Sequence, residues 1–125
     1  YVYEISESYG ICPELVIAII ENESSWNPKA RNNTCVGLMQ INKPFHTDRM
    51  KRLEVEDLED PYGNILVGID YIMELAETYE DIGTVLNIYN GGNYGLEMAQ
   101  KGKYLYYTRH VLERAAELEE RKLLK

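Results

Sequence analysis

Apolar residues that recur every three or four positions limit this chain most. Over residues 60–79 the series Ile65, Ile69, Ile72, Ala76 and Tyr79 advances by four, three, four and three, the period of one face of an α-helix. Asp60 and Pro61 suit the N-cap and first helical position, so the spacing predicts a long helix from Pro61 to about Tyr79. The same period and the same punctuation recur along the chain. Val2 to Tyr9 reads as a short helix ended by Gly10, and Pro13 to Glu23 as the next, with Pro13 at its first position. Thr84–Asn90 is a helix stopped by Gly91 and Gly92, and Tyr94–Gln100 another. A last helix runs from about Lys103 into the charged tail, on a face of Tyr107, Val111, Ala115 and Leu118. Between them, residues 24–36 are crowded with Ser, Asn, Pro and Thr and read as loop. Gly37 to Asn42 reads as extended, and Thr47 to Leu58 as partly helical. Gly68 offers a place where a neighbouring helix could approach closely. The expected fold is mainly α, with at most one short β-hairpin, in a single domain over residues 1–125 that either stands alone or is cut from a longer protein.

Charge and length narrow the function classes. Thirteen basic against 21 acidic residues leave a net charge of −8. A phosphate backbone would be repelled at long range, which argues against nucleic-acid binding. The longest apolar run, Leu15 to Ile20, is far short of the ~18 residues of a membrane span. Cys12 and Cys35 have no metal-ligand spacing and form no disulfide framework. They are expected to be unbridged, because about 16 Å of helix separates Cys12 from the far end that the Cys35 segment must approach. No metal or cofactor is expected. Tyr1 opens directly in polar, helix-like sequence, so no signal peptide is expected within these residues.

One residue breaks the pattern. On the helix Pro13–Glu23, Leu15, Val16, Ile19 and Ile20 have a mean direction about 70° from Leu15, and Glu23 lies at about 80° on the same count. Glu14 and Glu21 fall on the opposite, expectedly wet face. A carboxyl on an apolar face is desolvated, and the helix C-terminus adds negative potential. Both effects favour the protonated acid, the state a general acid needs.

The segments around Glu23 resemble the signature of the soluble lytic transglycosylases, whose scaffold is shared with goose-type lysozyme. Glu23-Ser24-Ser25-Trp26-Asn27-Pro28-Lys29-Ala30 is followed by Gly37-Leu38-Met39-Gln40. Then come Asp60-Pro61, Asn64-Ile65, Gly68 and Tyr71-Ile72, then Ile88-Tyr89-Asn90-Gly91-Gly92, and near the end Tyr107 to Leu112. The order matches the family's over about residues 5–118. The resemblance implies a lysozyme-like domain that cleaves the β-1,4 bond between N-acetylmuramic acid and N-acetylglucosamine in peptidoglycan, without cofactor or metal. In such enzymes the muramyl C6 hydroxyl attacks in place of water and leaves a 1,6-anhydro end.

Carried onto this chain, the resemblance makes Glu23 the acid and then the base. Gln40 would hydrogen-bond the sugar, Met39 would line the floor, Tyr89 would orient the acid, and Asn90 would bind substrate. Tyr107 would close the cleft, and Asn32 and Thr34 are candidates for a polar loop contact. Ser24, Trp26 and Gly37 are read as structural. The partner would be peptidoglycan glycan strands, met by a monomer at the cell wall, in the periplasm or outside the cell, or on a virion. The Glu23–Gly37 interval is one residue shorter than the family's common spacing, and Ile88 stands for the usual Ala. The alternative on the same scaffold is a goose-type muramidase that hydrolyses the same bond with water, for which a second carboxylate would have to hold that water.

Overall fold

The structure, a computed structural model, describes residues 1–123. In chain order it contains α1 (Val2–Tyr9), α2 (Pro13–Ser24), β1 (Arg31–Asn32), β2 (Cys35–Val36) and β3 (Ile41–Asn42), a 3-10 turn (Lys43–Phe45), then α3 (Thr47–Arg52), α4 (Pro61–Thr78), α5 (Ile82–Gln100) and α6 (Tyr106–Leu123). The mainly α expectation holds, and the small sheet has three antiparallel strands in the order β1-β2-β3. The chain forms two compact units, residues 1–71 and residues from 72 on, divided within α4.

In the first unit, α1 stops where Gly10 turns left-handed at φ 73° and its N–H returns to the helix's last carbonyls. Cys12 is extended and Pro13 opens α2, which packs on α1. Leu15, Val16, Ala18, Ile19 and Ile20 are all buried. Those positions cover most of the helix circumference, so α2 has little wet face. Glu14, expected in water, is therefore only 5% exposed, and the Cys12 thiol donates to it at 3.5 Å.

Residues 24–36, expected as loop throughout, instead hold β1 and β2. Asn33 takes φ 57°, and the two-residue turn lets Arg31 pair with Val36 and Asn32 with Cys35. Strands of two residues carry no readable alternation, which is why the residue pattern did not reveal them. α3 is shorter than expected because Glu54, at φ 60°, turns the chain out of the helix.

Asn64 fastens this sheet to α4. Its amide oxygen accepts from Met39 N at 2.8 Å, and its nitrogen donates to Val36 O and Leu58 O, both at 2.8 Å. It is fully buried. Gly68 does allow a close approach, but of the Met39 side chain rather than a helix, since a β-carbon there would overlap the thioether. At the other end of the unit, Asp70 is 8% exposed and accepts from Tyr9 Oη at 2.7 Å, from Arg52 Nη2 at 2.6 Å and from Arg49. Burial alone would raise the Asp70 carboxyl, but the hydrogen bonds from Arg52, Tyr9 and Arg49 outweigh it and hold it below the usual carboxylate range. Burial and the Asp70 bond push the Tyr9 phenol up to about 12.

In the second unit α5 begins two residues earlier than expected. Asp81 caps it by accepting from Gly83 N and Thr84 N, and also receives Tyr104 Oη at 2.7 Å. Gly92, at φ 56° and ψ −134°, bends α5 sharply, so the expected break at Gly91-Gly92 is a kink between two helical halves. Asn87, fully buried, organises what surrounds it. It donates to Gly95 O and Lys103 O, each at 3.0 Å, and accepts from Leu105 N at 3.1 Å and Thr108 Oγ1 at 2.6 Å. By holding residues 103 and 105 through their backbone, it delays α6 to Tyr106, three residues after the expected start.

Candidate active site

Glu23 lies on the last turn of α2 and is half-buried. Ser24 ends the helix and returns its hydroxyl to Ile20 O at 3.1 Å. Ser25 and Trp26 then adopt φ 51° and 67°, two consecutive left-handed residues that turn the chain away immediately after the glutamate. Asn27 holds the turn, accepting from Lys29 N at 3.0 Å. Trp26, expected to pack this loop, is 46% exposed. It forms a wall of an open apolar cavity of about 260 Å³ that Tyr1, Pro28, Leu38 and Ile65 also line.

The loop is pinned through one carbonyl. Ala30 O accepts from Gly37 N at 2.8 Å and from Gln40 Nε2 at 3.0 Å. Gln40 Nε2 also donates to Gly37 O at 2.9 Å. Two carbonyl acceptors fix which end of this amide is nitrogen. Gln40 was expected to bind sugar, but its donor hydrogens go to the backbone, and only its oxygen lies outside these bonds. Met39, expected on the floor of the site, is fully buried, its thioether against Gly68. Gly37 was read as structural. It sits at φ 82°, and a β-carbon there would overlap the Asn64 amide. Asn64 itself went unassigned, though it shares a helix face with Val67 and Gly68, three and four residues on.

Cys35 is half-buried on the central strand. Burial and then the charge of Glu23 push its thiol upward, so the two side chains lie within electrostatic reach. Cys35 and Cys12 are both thiols. Asn32 and Thr34 are exposed on the hairpin. The first unit thus gathers Glu23, Ser24, Gly37 and Gln40 with this hairpin. The second unit carries the other candidates. Tyr89 is half-buried and Asn90 exposed on the turn of α5 before the Gly92 kink, and Tyr107 is 8% exposed at the start of α6. Among the described residues no group of three or more His, Cys, Asp or Glu could hold a metal ion, and no helix is long and apolar enough to cross a membrane.

Comparison with known proteins gives one family, the Transglycosylase SLT domain, matched over residues 1–111. Among curated proteins, the chain is 34% identical over 88 residues to a transglycosylase of Enterobacteria phage PRD1, covering 70% of this chain and 32% of that protein. It is 30% identical over 97 residues to invasion protein IagB of Salmonella typhimurium, covering 71% and 60%. It is 33% identical over 111 residues to membrane-bound lytic murein transglycosylase C of Yersinia enterocolitica, covering 73% and 30%. The chain thus spans between about a third and three-fifths of the length of these relatives.

Proposed function

The chain belongs to the transglycosylase SLT domain family, and on that premise we propose that it is a peptidoglycan lytic transglycosylase working where the cell wall is exposed to it, in the periplasm, outside the cell or on a virion. The observation that carries the reading is Glu23. It is a half-buried carboxyl on the last turn of a buried helix, followed at once by a loop clamped to Gly37 and Gln40. A carboxyl so held can deliver a proton without losing its aim.

In the proposed reaction Glu23 protonates the glycosidic oxygen as the bond to the muramyl anomeric carbon breaks. The muramyl C6 hydroxyl then bonds to that carbon and passes its proton to Glu23, which restores the acid. Atoms balance without water, and the product ends in a 1,6-anhydro ring. The substrate's acetamido group can steady the developing positive charge, so no second carboxylate is required. Gln40 would meet the sugar through its amide oxygen, as an acceptor. Tyr89, Asn90 and Tyr107 are proposed as further substrate-side groups.

Two measurements on one digest test this. Glu23→Gln is nearly isosteric but cannot donate the proton, and should slow muropeptide release by roughly 10²- to 10⁴-fold with the fold intact. Glu21→Gln is the control and should stay near parent activity. A Glu23→Gln protein with parent activity would end the assignment. Mass spectrometry of the parent digest should show muramyl ends one water lighter than reducing ends. Reducing ends alone would move the chain to the muramidase reading.

A further inference from the structure

The first turns of α4 open onto two cavities of opposite character. Pro61 and Ile65, one turn apart, line the apolar cavity of about 260 Å³ that Trp26 walls. Tyr62 and Leu66, rotated from them by one residue's ~100°, line a second cavity of about 160 Å³ together with Glu54, Glu56, Asp57 and Asp60. Tyr62 joins the two, since its ring stands edge-on to that of Tyr1, in the first cavity, with 5.0 Å between centroids. All of these residues belong to the first unit, and Glu23 and Gln40 line neither cavity.

The rim of the apolar cavity is aromatic and wet. Tyr1, Trp26 and Tyr62 are 65%, 46% and 39% exposed. Large rings left half in water around an apolar hollow match the anchoring pockets at the centres of protein interfaces. The charge beside it is one-sided. Residues 53–100 carry 11 carboxylates and no lysine, arginine or histidine, and five of the 11 fall within 54–60. Three arginines of this unit are already engaged, Arg31 with Glu59 and Arg49 and Arg52 with Asp70. Such a surface repels nucleic acid, anionic lipid headgroups and anionic wall polymers alike, and attracts lysine and arginine.

We propose that this face docks a partner protein through a cationic segment that carries one apolar anchor. A leucine-sized side chain enters the cavity beside Trp26, and the lysines or arginines next to it meet the carboxylates of 54–60. Each half of the face selects for one half of that segment: the hollow rewards burial of an aliphatic group, and the carboxylates set the sign of the charge around it. The docking is independent of the catalytic reading, because it uses none of the residues assigned to acid–base chemistry.

The test is a titration of the full chain with three synthetic peptides. The first is a run of lysines around one central leucine, the second has alanine for that leucine, and the third has glutamates for the lysines. Trp26 is the chain's one tryptophan, so its emission reports on this cavity. The lysine–leucine peptide should shift that emission to the blue and saturate. The alanine peptide should bind roughly tenfold more weakly, the worth of a buried leucine over alanine, and the glutamate peptide should not bind. The double variant Glu54→Gln, Glu56→Gln keeps the shape of two exposed side chains and should weaken the lysine–leucine peptide roughly two- to tenfold. Glu77→Gln with Glu80→Gln changes the net charge equally, but in the second unit, and should leave binding near that of the parent. No shift in Trp26 emission would overturn the proposal. So would equal weakening by both double variants, which would leave net charge as the whole cause, or equal binding of the leucine and alanine peptides. Displacement of the peptide by a chitooligosaccharide would make the cavity a glycan surface and overturn it as well.

Discussion

Gln40 and Asn64 are two side-chain amides that together hold the segment following Glu23. Each meets backbone groups that no strand pairing could reach. Gln40 donates twice from one nitrogen, to Ala30 O and Gly37 O, while its own backbone is left-handed at φ 51°. Gln40→Glu keeps the shape and removes both donors, setting carboxylate oxygens against two carbonyl oxygens. The expected result is a loss of about 1–3 kcal/mol in urea unfolding, together with reduced turnover on peptidoglycan. Unchanged values in both would mean the clamp is dispensable. Glu23 was legible in the sequence because a charge on an apolar stripe is anomalous whatever the tertiary structure. The direction Gln40 faces was not, since an amide's partner depends on where the Ala30 carbonyl comes to rest. The full burial of Met39 was not legible for the same reason: it is packed against Gly68, 29 residues away.

Helices announced their starts where a proline or a cap residue marked them, as at Pro13 and Pro61, and hid them where a distant side chain decided. The start of α6 is the clearest case, because Asn87 holds Lys103 and Leu105 out of the helix. The kink of α5 was readable as a break but not as a bend, since periodicity resumes beyond Gly92. At φ 56° and ψ −134° that residue occupies backbone space closed to other residues. Gly92→Ala should cost about 1–3 kcal/mol, visible as a lowered midpoint in chemical unfolding. Within the first unit, α1, α3 and α4 are joined through Asp70. Its pKa is depressed in the folded state, so the stability it lends is present above the ordinary carboxylate range and is lost as pH falls through the lower folded value. Tyr9 is raised to about 12, so its share is present below the ordinary phenol pKa and lost as pH rises toward that value. Asp70→Asn removes the carboxylate that both Arg49, whose side chain is only 10% exposed, and Arg52 meet in the folded protein. Unfolding at pH 7 should show a loss of about 3–5 kcal/mol. The same variant should lose less further stability than the parent on acidification below pH ~4.

For the chain as a whole the governing quantity is a net charge of −8, and the proposed substrate is itself anionic. Peptidoglycan has peptide carboxylates, and many walls add anionic polymers. Like charges repel over a Debye length, which is about 30 Å at 0.01 M salt and about 8 Å at 0.15 M. A strongly acidic enzyme should therefore approach such a wall slowly at low ionic strength and faster as salt screens the encounter, the reverse of what a basic wall enzyme would show. On the proposed mechanism the chemical step itself should respond little, because its proposed acid, Glu23, is half-buried and bulk ions screen it weakly. The rate of wall digestion at sub-saturating substrate is expected to rise between 0.01 M and 0.15 M salt. The rise should be smaller on walls stripped of their anionic polymers, and kcat on short soluble glycan should stay nearly flat. Digestion that slows with added salt on both kinds of wall would show that a local positive surface, not the net charge, governs the encounter.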